Sequence, residues 1–168
     1  MKMSTKHTTR ITVCAVMTAL TFVLTAYLQI PSTTGYVHVG DSVIYLSACL
    51  LPLPYAVFVG AVGGTLADLL SGFAIWAPGT LVIKSVSVLF FSRAKKFVCT
   101  RNLIALVAAA LISTVGYYLY ESMLLGSLLT PLLGIPGYIM QAVLSGAIFI
   151  ALGLSFDKMK LKSKLGVL

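Results

Sequence analysis

Acidic side chains are scarce in this chain, which has four Asp and Glu residues against twelve Lys and Arg. Charged residues of both signs make up 10% of its 168 residues, whereas a soluble domain carries about 25%. Apolar residues make up 59%, and the mean hydropathy is +1.02. The composition excludes an ordinary soluble domain. It predicts an all-α, polytopic membrane helix bundle that forms one integral membrane domain over residues 1–168.

The residues that build metal centres and many active sites are also few. The three cysteines show no CxxC spacing and are interpreted as small buried hydrophobes. His7 and His38 have no metal-site spacing, and no GxxxxGK[ST] phosphate loop occurs. No nucleophile–base pair is visible at membrane depth. These absences argue against a membrane-embedded enzyme or an ATPase, and we expect no catalytic residue, metal or cofactor.

Eleven of the twelve Lys and Arg residues fall in three clusters that apolar stretches separate. Because basic residues collect on the cytoplasmic side of membrane proteins, the clusters predict cytoplasmic N- and C-termini and a cytoplasmic middle loop. The net charge of +8 indicates lipid headgroups as partner rather than nucleic acid, since the basic residues flank apolar segments. The three clusters are Lys2, Lys6 and Arg10; Arg93, Lys95, Lys96 and Arg101; and Lys158, Lys160, Lys162 and Lys164.

Six membrane segments satisfy this topology. An even number of spans must separate the N-terminus from the middle loop, so the long apolar stretch 42–70 has to contain two. Pro52 and Pro54 supply the break between them. The first apolar run is 20 residues long without a cleavage site, which favours a retained helix over a signal peptide. The predicted segments are about 11–30, 41–51, 54–70, 77–92, 102–120 and 137–155, and the predicted outer loops are 31–40, 71–76 and 121–136.

Lys84 is the twelfth basic residue and lies alone inside an apolar segment. A charge at a helix centre costs roughly 2.5–3.5 kcal/mol on insertion scales, so such residues face the bundle interior, pair, or bind something. Lys84 is expected either to form an ion pair with Asp68 or Asp41 or to donate to a bound substrate, and the two roles are compatible. Asp41 suits either a helix N-cap or a ligand contact.

Two further acidic residues lie within or at the end of an apolar segment. Asp68 shares a helix face with Gly60 and Gly64, which favours a role in helix packing. Glu121 falls on one side of segment five with Tyr117 and Tyr120, at helical spacings.

Aromatic and amide side chains complete the candidate site. Trp76 directly precedes the helix that carries Lys84, and a flat ring beside a buried donor suits an aromatic, polar small molecule. Trp76 and Tyr36 can also be membrane-interface residues. Gln141 faces inward if segment six turns its Ala142 and Gly146 side to the bundle. A small-xxx-small pair, Ala15 and Ala19, marks segment one as a packing face.

Together these residues resemble the substrate-binding S component of energy-coupling factor (ECF) vitamin transporters, of the branch that groups riboflavin with hydroxymethylpyrimidine or pyridoxine S components. The resemblance spans nearly the whole chain. It is strongest in four stretches that follow in order: residues 40–41, 54–64, 67–72 and 76–84. Ala15-x-x-x-Ala19 matches the family's small-residue motif on helix one.

The resemblance implies a multi-pass protein of the bacterial plasma membrane that binds a vitamin from outside. Its partners would be a transmembrane coupling subunit, docked at Ala15 and Ala19, and two ATPase subunits. Site residues carried over are Asp41 as acceptor, Trp76 for stacking and Lys84 as donor, with Tyr36, Tyr117, Glu121 and Gln141 beside them. This set favours a hydroxymethyl-substituted pyridine or pyrimidine over riboflavin. The alternative is a small self-sufficient transporter or channel that works as an oligomer.

Overall fold

The computed structural model describes residues 5–32, 35–93 and 96–165; Lys2 and Lys95 of the basic clusters lie outside these ranges. Seven helices and one short strand pair follow each other in this part of the chain. The elements are α1 Thr5–Ala26, β1 Gln29–Pro31, β2 Tyr36–His38, α2 Asp41–Leu50, α3 Leu53–Leu70, α4 Ala77–Ser87, α5 Thr100–Leu125, α6 Ile135–Lys158 and α7 Leu161–Leu165. Short 3₁₀ turns, Ala74–Trp76, Val88–Phe90 and Thr130–Gly134, flank α4 and precede α6.

Four helical stretches among the described residues are long and apolar enough to cross a bilayer. The shortest of them has 18 residues, about 27 Å at 1.5 Å per residue, close to the ~30 Å hydrocarbon core. Two shorter apolar stretches, Asp41–Leu50 and Ala74–Phe90, accompany them. Large apolar side chains are exposed on the outside of the bundle, with Val107 at 63% and Val143 at 64%, as expected of a surface that faces lipid. The four spans are Lys6–Ala26, Leu53–Leu70, Thr100–Leu125 and Thr130–Lys158.

The break between α2 and α3 lies at Leu51 and Pro52. Both residues have extended backbone, with ψ of 154° and 149°. For Leu51 the cause is Pro52, because a proline disfavours helical geometry in the residue before it. Pro54 then falls in the first turn of α3, where its missing N–H costs no hydrogen bond. All ten residues of α2 are buried. The short second segment is thus an interior helix, which packs against α1, α3 and α6.

Two predicted boundaries differ from the structure. Segment one is predicted to run to residue 30, but α1 ends at Ala26 and residues 29–31 pair antiparallel with residues 36–38. The loop predicted at 121–136 is also wrong at its start, since α5 continues to Leu125 and ends at Gly126, whose φ is +62°. A glycine in this left-handed conformation is a usual helix stop, and it places Glu121 inside α5.

The start of α1, the end of α6 and the described residues of the middle loop lie at one end of the bundle, which we call the terminal end. The Asp157 carboxylate of α6 accepts hydrogen bonds from Phe97 N (2.7 Å) and Val98 N (3.0 Å) in the loop before α5. Near the start of α1, His7 Nδ1 lies 3.3 Å from the hydroxyl of Tyr55 on α3. The distal end, opposite, carries the strand pair and the α3–α4 connection.

Packing between the cavity and the terminal end is tight. A cluster of aromatic rings fills the bundle there: Tyr45 stacks on Phe91 with ring centroids 5.0 Å apart, and Phe149 meets Phe91 edge-on at 5.8 Å. Helices α1 and α3 approach closely at Gly63, where an added Cβ would lie 2.8 Å from Thr21 Cβ and 3.1 Å from Thr18 O. The glycine is therefore required by the space between the two helices.

Candidate ligand-binding site

A small cavity lies at the distal end, where the strand pair meets four helices. The space open to the centre of a water molecule is about 50 Å³, enough for a few waters. The lining is mostly aromatic and polar, with one carboxylate, one imidazole and one carboxamide. The residues that line it are Gly35, Tyr36, His38, Asp68, Trp76, Thr80, Tyr117, Tyr138 and Gln141.

Asp41 and Lys84 form a buried ion pair that does not line this cavity. Lys84 Nζ lies 2.8 Å from both carboxylate oxygens of Asp41, and both side chains are 2% exposed. Gln141 Nε2 donates to Asp41 Oδ2 (3.0 Å), and Gln141 Oε1 accepts from His38 N (3.4 Å). The pair therefore joins α2 to α4, and Gln141 connects it to the cavity wall.

One expectation for Asp41 is wrong. The residue before α2 is Gly40, and no side chain caps the helix. Asp41 instead directs its carboxylate to Lys84, because a buried ammonium requires an opposite charge.

Asp68 lies on the cavity surface, with 5% of the residue exposed. Its Oδ1 accepts a hydrogen bond from the Tyr36 hydroxyl at 2.6 Å. Among the described residues its Oδ2 has no hydrogen-bond partner. The nearby Thr80 hydroxyl is hydrogen-bonded to the Tyr117 hydroxyl at 3.0 Å. The Tyr36 bond ties α3 to β2, and Asp68 lines the cavity. Gly60 and Gly64 on the same face of α3 pack closely against α4, as their spacing predicts.

His38 is neutral, and its Nε2–H group is a hydrogen-bond donor. Its Nδ1 accepts from Gly40 N at 3.2 Å, so the ring proton is on Nε2. Burial lowers the pKa of His38 to about 4, opposed by the nearby Asp41 carboxylate and assisted by the Lys84 charge. A neutral imidazole is therefore present at the cavity across the physiological pH range.

Aromatic rings form one wall of the cavity. Tyr117 and Tyr138 stack with centroids 5.5 Å apart, and Trp76 meets Tyr117 edge-on at 6.4 Å. The Tyr138 hydroxyl donates to Glu121 Oε2 at 2.8 Å. Glu121 is buried and does not itself line the cavity, so it positions Tyr138 from behind.

The site residues predicted from the sequence therefore divide into two groups. Four of them line the cavity: Tyr36, Trp76, Tyr117 and Gln141. Asp41, Lys84 and Glu121 lie behind it, in contact with its walls. Four further lining residues were not predicted as site residues from the sequence: His38, Asp68, Thr80 and Tyr138. A signal for Asp68 exists in the charge count: one intramembrane ammonium cannot neutralise two aspartates.

The predicted docking pair lies on the outer face of the bundle. Ala15 and Ala19 are exposed on α1, and Ile11, Val16 and Leu20 beside them are exposed as well. Small side chains at such a face allow another helix to approach closely.

Comparisons with known proteins place these features in a family. A curated protein of Pyrococcus woesei, described as an uncharacterized protein in a gap 3' region, is 37% identical over 93 residues. The match covers 54% of this chain and 62% of that protein. The family model described as "ECF-type riboflavin transporter, S component" matches residues 5–158. The chain belongs to the S components of ECF-type transporters, which are membrane transport subunits and not enzymes.

Proposed function

We propose that this S component captures a small water-soluble vitamin or vitamin precursor from outside the cell and delivers it to a separate, ATP-driven module. The observation that carries the proposal is the position of the cavity at the end of the bundle opposite the basic clusters. Since Lys and Arg collect on the cytoplasmic side, the cavity faces outward. The module would consist of a transmembrane coupling subunit and two ATPase subunits.

In this proposal the chain crosses the bacterial plasma membrane six times, with both termini in the cytoplasm. Four helices are long enough to cross alone. The run 74–90 is continuous through its 3₁₀ turns. Helix α2, about 15 Å long at 10 residues, crosses within the protein interior, where its ends are covered by other segments.

The composition of the cavity wall favours a polar ring as ligand. Trp76, Tyr117 and Tyr138 present ring surfaces, while Asp68, His38 and Gln141 supply hydrogen-bonding groups, a combination suited to flat polar ligands. The small cavity favours a single-ring compound, such as a hydroxymethyl-substituted pyridine or pyrimidine. Riboflavin, which the family description names, is the second candidate, and its three fused rings require the cavity to widen.

An oligomeric channel, the alternative suggested by the sequence, finds less support. The aromatic cluster of Tyr45, Phe91 and Phe149 fills the bundle beneath the site. A cavity closed at its base suits capture from one side and release after a conformational change, rather than passage through an open pore.

A transport assay tests whether this chain binds the vitamin while a separate module uses ATP to drive its uptake. Vesicles that contain this chain with an ECF coupling module should accumulate labelled vitamin only when ATP is supplied. Ala15→Trp should abolish that uptake while the purified variant still binds the vitamin, because a bulky side chain keeps the coupling helix away.

The matched control for Ala15→Trp is Val107→Trp, which adds the same ring to an exposed position on α5 and should leave uptake intact. ATP-independent uptake by the chain alone would refute the proposed coupling. Normal uptake by Ala15→Trp would remove α1 as the docking face.

A further inference from the structure

In the distal half of the described chain, carboxyl groups outnumber basic side chains. This half contains three carboxyl groups, Asp41, Asp68 and Glu121, and the Lys84 ammonium. The other described Lys and Arg residues lie at the terminal end, in the first turns of α1, the middle loop, the start of α5, or the end of α6 and beyond. His38 is neutral. An anionic ligand would therefore enter a region in which negative groups outnumber positive ones.

The charge of the Lys84 ammonium is already neutralised by the Asp41 carboxylate. The ammonium contacts both oxygens of Asp41, and the pair receives a further hydrogen bond from Gln141. Lys84 is 2% exposed and does not line the cavity. A ligand that relied on Lys84 would have to break a buried ion pair, which is strongly unfavourable.

Asp68, unlike Lys84, lines the cavity and has no basic side chain as its partner in the part of the chain that the structure describes. Tyr36 hydrogen-bonds one of its oxygens. The other, Oδ2, is buried without a hydrogen-bond partner among the described residues, beside a Thr80 hydroxyl that is bonded to Tyr117. An unsatisfied buried acceptor is costly, and more so when it is charged. A ligand that donates a hydrogen bond to Oδ2 would remove this cost, so the cavity favours a ligand with a donor group.

We propose that Asp68 is the anchor of the ligand, and that the site selects an uncharged or cationic ring compound with an N–H or O–H donor and rejects its phosphorylated form. The inference rests on the proposed function and specifies the ligand of that site. A phosphate group would bring negative charge close to the Asp68 carboxylate in a region with little screening by water. Tyr117 and Tyr138 add ring faces that tolerate a neutral ring and attract a cationic one.

The test uses three pairs of compounds that differ by a phosphate: pyridoxine and its phosphate, the hydroxymethyl aminopyrimidine and its phosphate, and riboflavin and flavin mononucleotide. Binding is measured by calorimetry on the purified full-length chain. At least one unphosphorylated member should bind, about 100-fold more tightly than its phosphate, since buried polar groups discriminate strongly between ligands. Preference for a phosphate would overturn the inference without using any variant.

Two matched substitutions then assign the selectivity to a residue. Asp68→Asn keeps the shape of the side chain and removes its charge, and it should weaken binding of the preferred vitamin about 10- to 100-fold, the usual size of a hydrogen bond to a charged group. Asp157→Asn makes the same change at a carboxyl group at the terminal end, outside the cavity lining, and should bind nearly as wild type. Thermal unfolding in detergent verifies that both variants are folded.

The outcomes separate this inference from the proposed function. Unchanged affinity in Asp68→Asn, with a vitamin bound by wild type, would overturn the inference alone. Failure of wild type to bind any of the six compounds would overturn both.

Discussion

At the scale of single residues, the main change from the sequence-based expectation concerns Lys84. Its place in an apolar segment predicts either an ion pair or a direct ligand contact. In the structure it is paired with Asp41, and Tyr117 covers it, with the ammonium 5.2 Å from the ring centroid. Its contribution to the site is to hold α4 against α2, and thus to fix the wall residues Thr80 and Gln141.

Lys84→Met tests this structural role. The substitution leaves the Asp41 carboxylate buried without a counter-charge, and we expect the free energy of unfolding to fall by about 3–5 kcal/mol. The double variant Asp41→Asn with Lys84→Met should recover most of that loss, because neither charge remains. Unfolding in detergent, followed by circular dichroism, measures both. A single variant as stable as wild type would contradict the role of the pair.

His38 makes stability depend on pH. Its pKa is about 4 in the folded chain against 6.5 as the ordinary value, so the unfolded chain binds a proton first as the pH falls. The contribution of the neutral imidazole is complete above pH 6.5 and decreases towards pH 4, by roughly 3 kcal/mol in total. Unfolding midpoints measured between these pH values should fall in wild type. His38→Gln should show a flatter profile, and an identical slope in both chains would exclude His38 as the cause.

Part of the site could be predicted from the sequence. Of the residues predicted from the sequence, Trp76 lines the cavity, whereas Asp41 and Lys84 form an ion pair behind it. The sequence could not decide between Asp41 and Asp68 as the partner of Lys84, because that choice depends on which helix packs against α4 at that depth. Nor could it place His38 and Tyr138, since both are brought to the cavity by contacts with distant elements.

At the scale of elements, apolar length and proline placement located the helices closely. The ends of α1 and α5 were misplaced, because neither is determined by apolar length or proline placement. The strand pair follows the end of α1, and the left-handed Gly126 ends α5. Three-residue strands have no periodicity long enough to detect in a sequence. A helix end inside a run of apolar residues is likewise hard to locate, because Leu124, Leu125, Leu128 and Leu129 continue the pattern on both sides of Gly126.

Close helix approach can be tested at Gly63. Gly63→Ala places a Cβ 2.8 Å from Thr21 Cβ and 3.1 Å from the Thr18 backbone oxygen, so α1 and α3 must separate. We expect a loss of about 1–3 kcal/mol of stability. Gly146→Ala is the control, because its added Cβ would meet Leu106 Cδ1 at 3.9 Å, an ordinary contact. Equal unfolding temperatures for the two variants would contradict the packing described for α1 and α3.

At the scale of the whole molecule, the separation of the basic clusters from the cavity implies a fixed orientation in the membrane. Cysteine labelling in intact cells tests it, after Cys14, Cys49 and Cys99 have been replaced. Thr130→Cys at the distal end should react with a reagent that does not cross the membrane. Lys96→Cys at the terminal end should react only after the membrane is permeabilised. The reverse pattern would turn the cavity towards the cytoplasm and exclude capture from outside.

The most direct test of vitamin capture uses the one tryptophan of the chain, Trp76, which lies in the cavity wall. Its fluorescence should change in a saturable, one-to-one manner when the purified chain is titrated with pyridoxine, the hydroxymethyl aminopyrimidine or riboflavin, and Trp76→Phe corrects for absorption by the vitamins. We predict saturation by at least one of the three. A folded chain whose Trp76 signal responds to none of them would contradict the assignment of this cavity as the vitamin site.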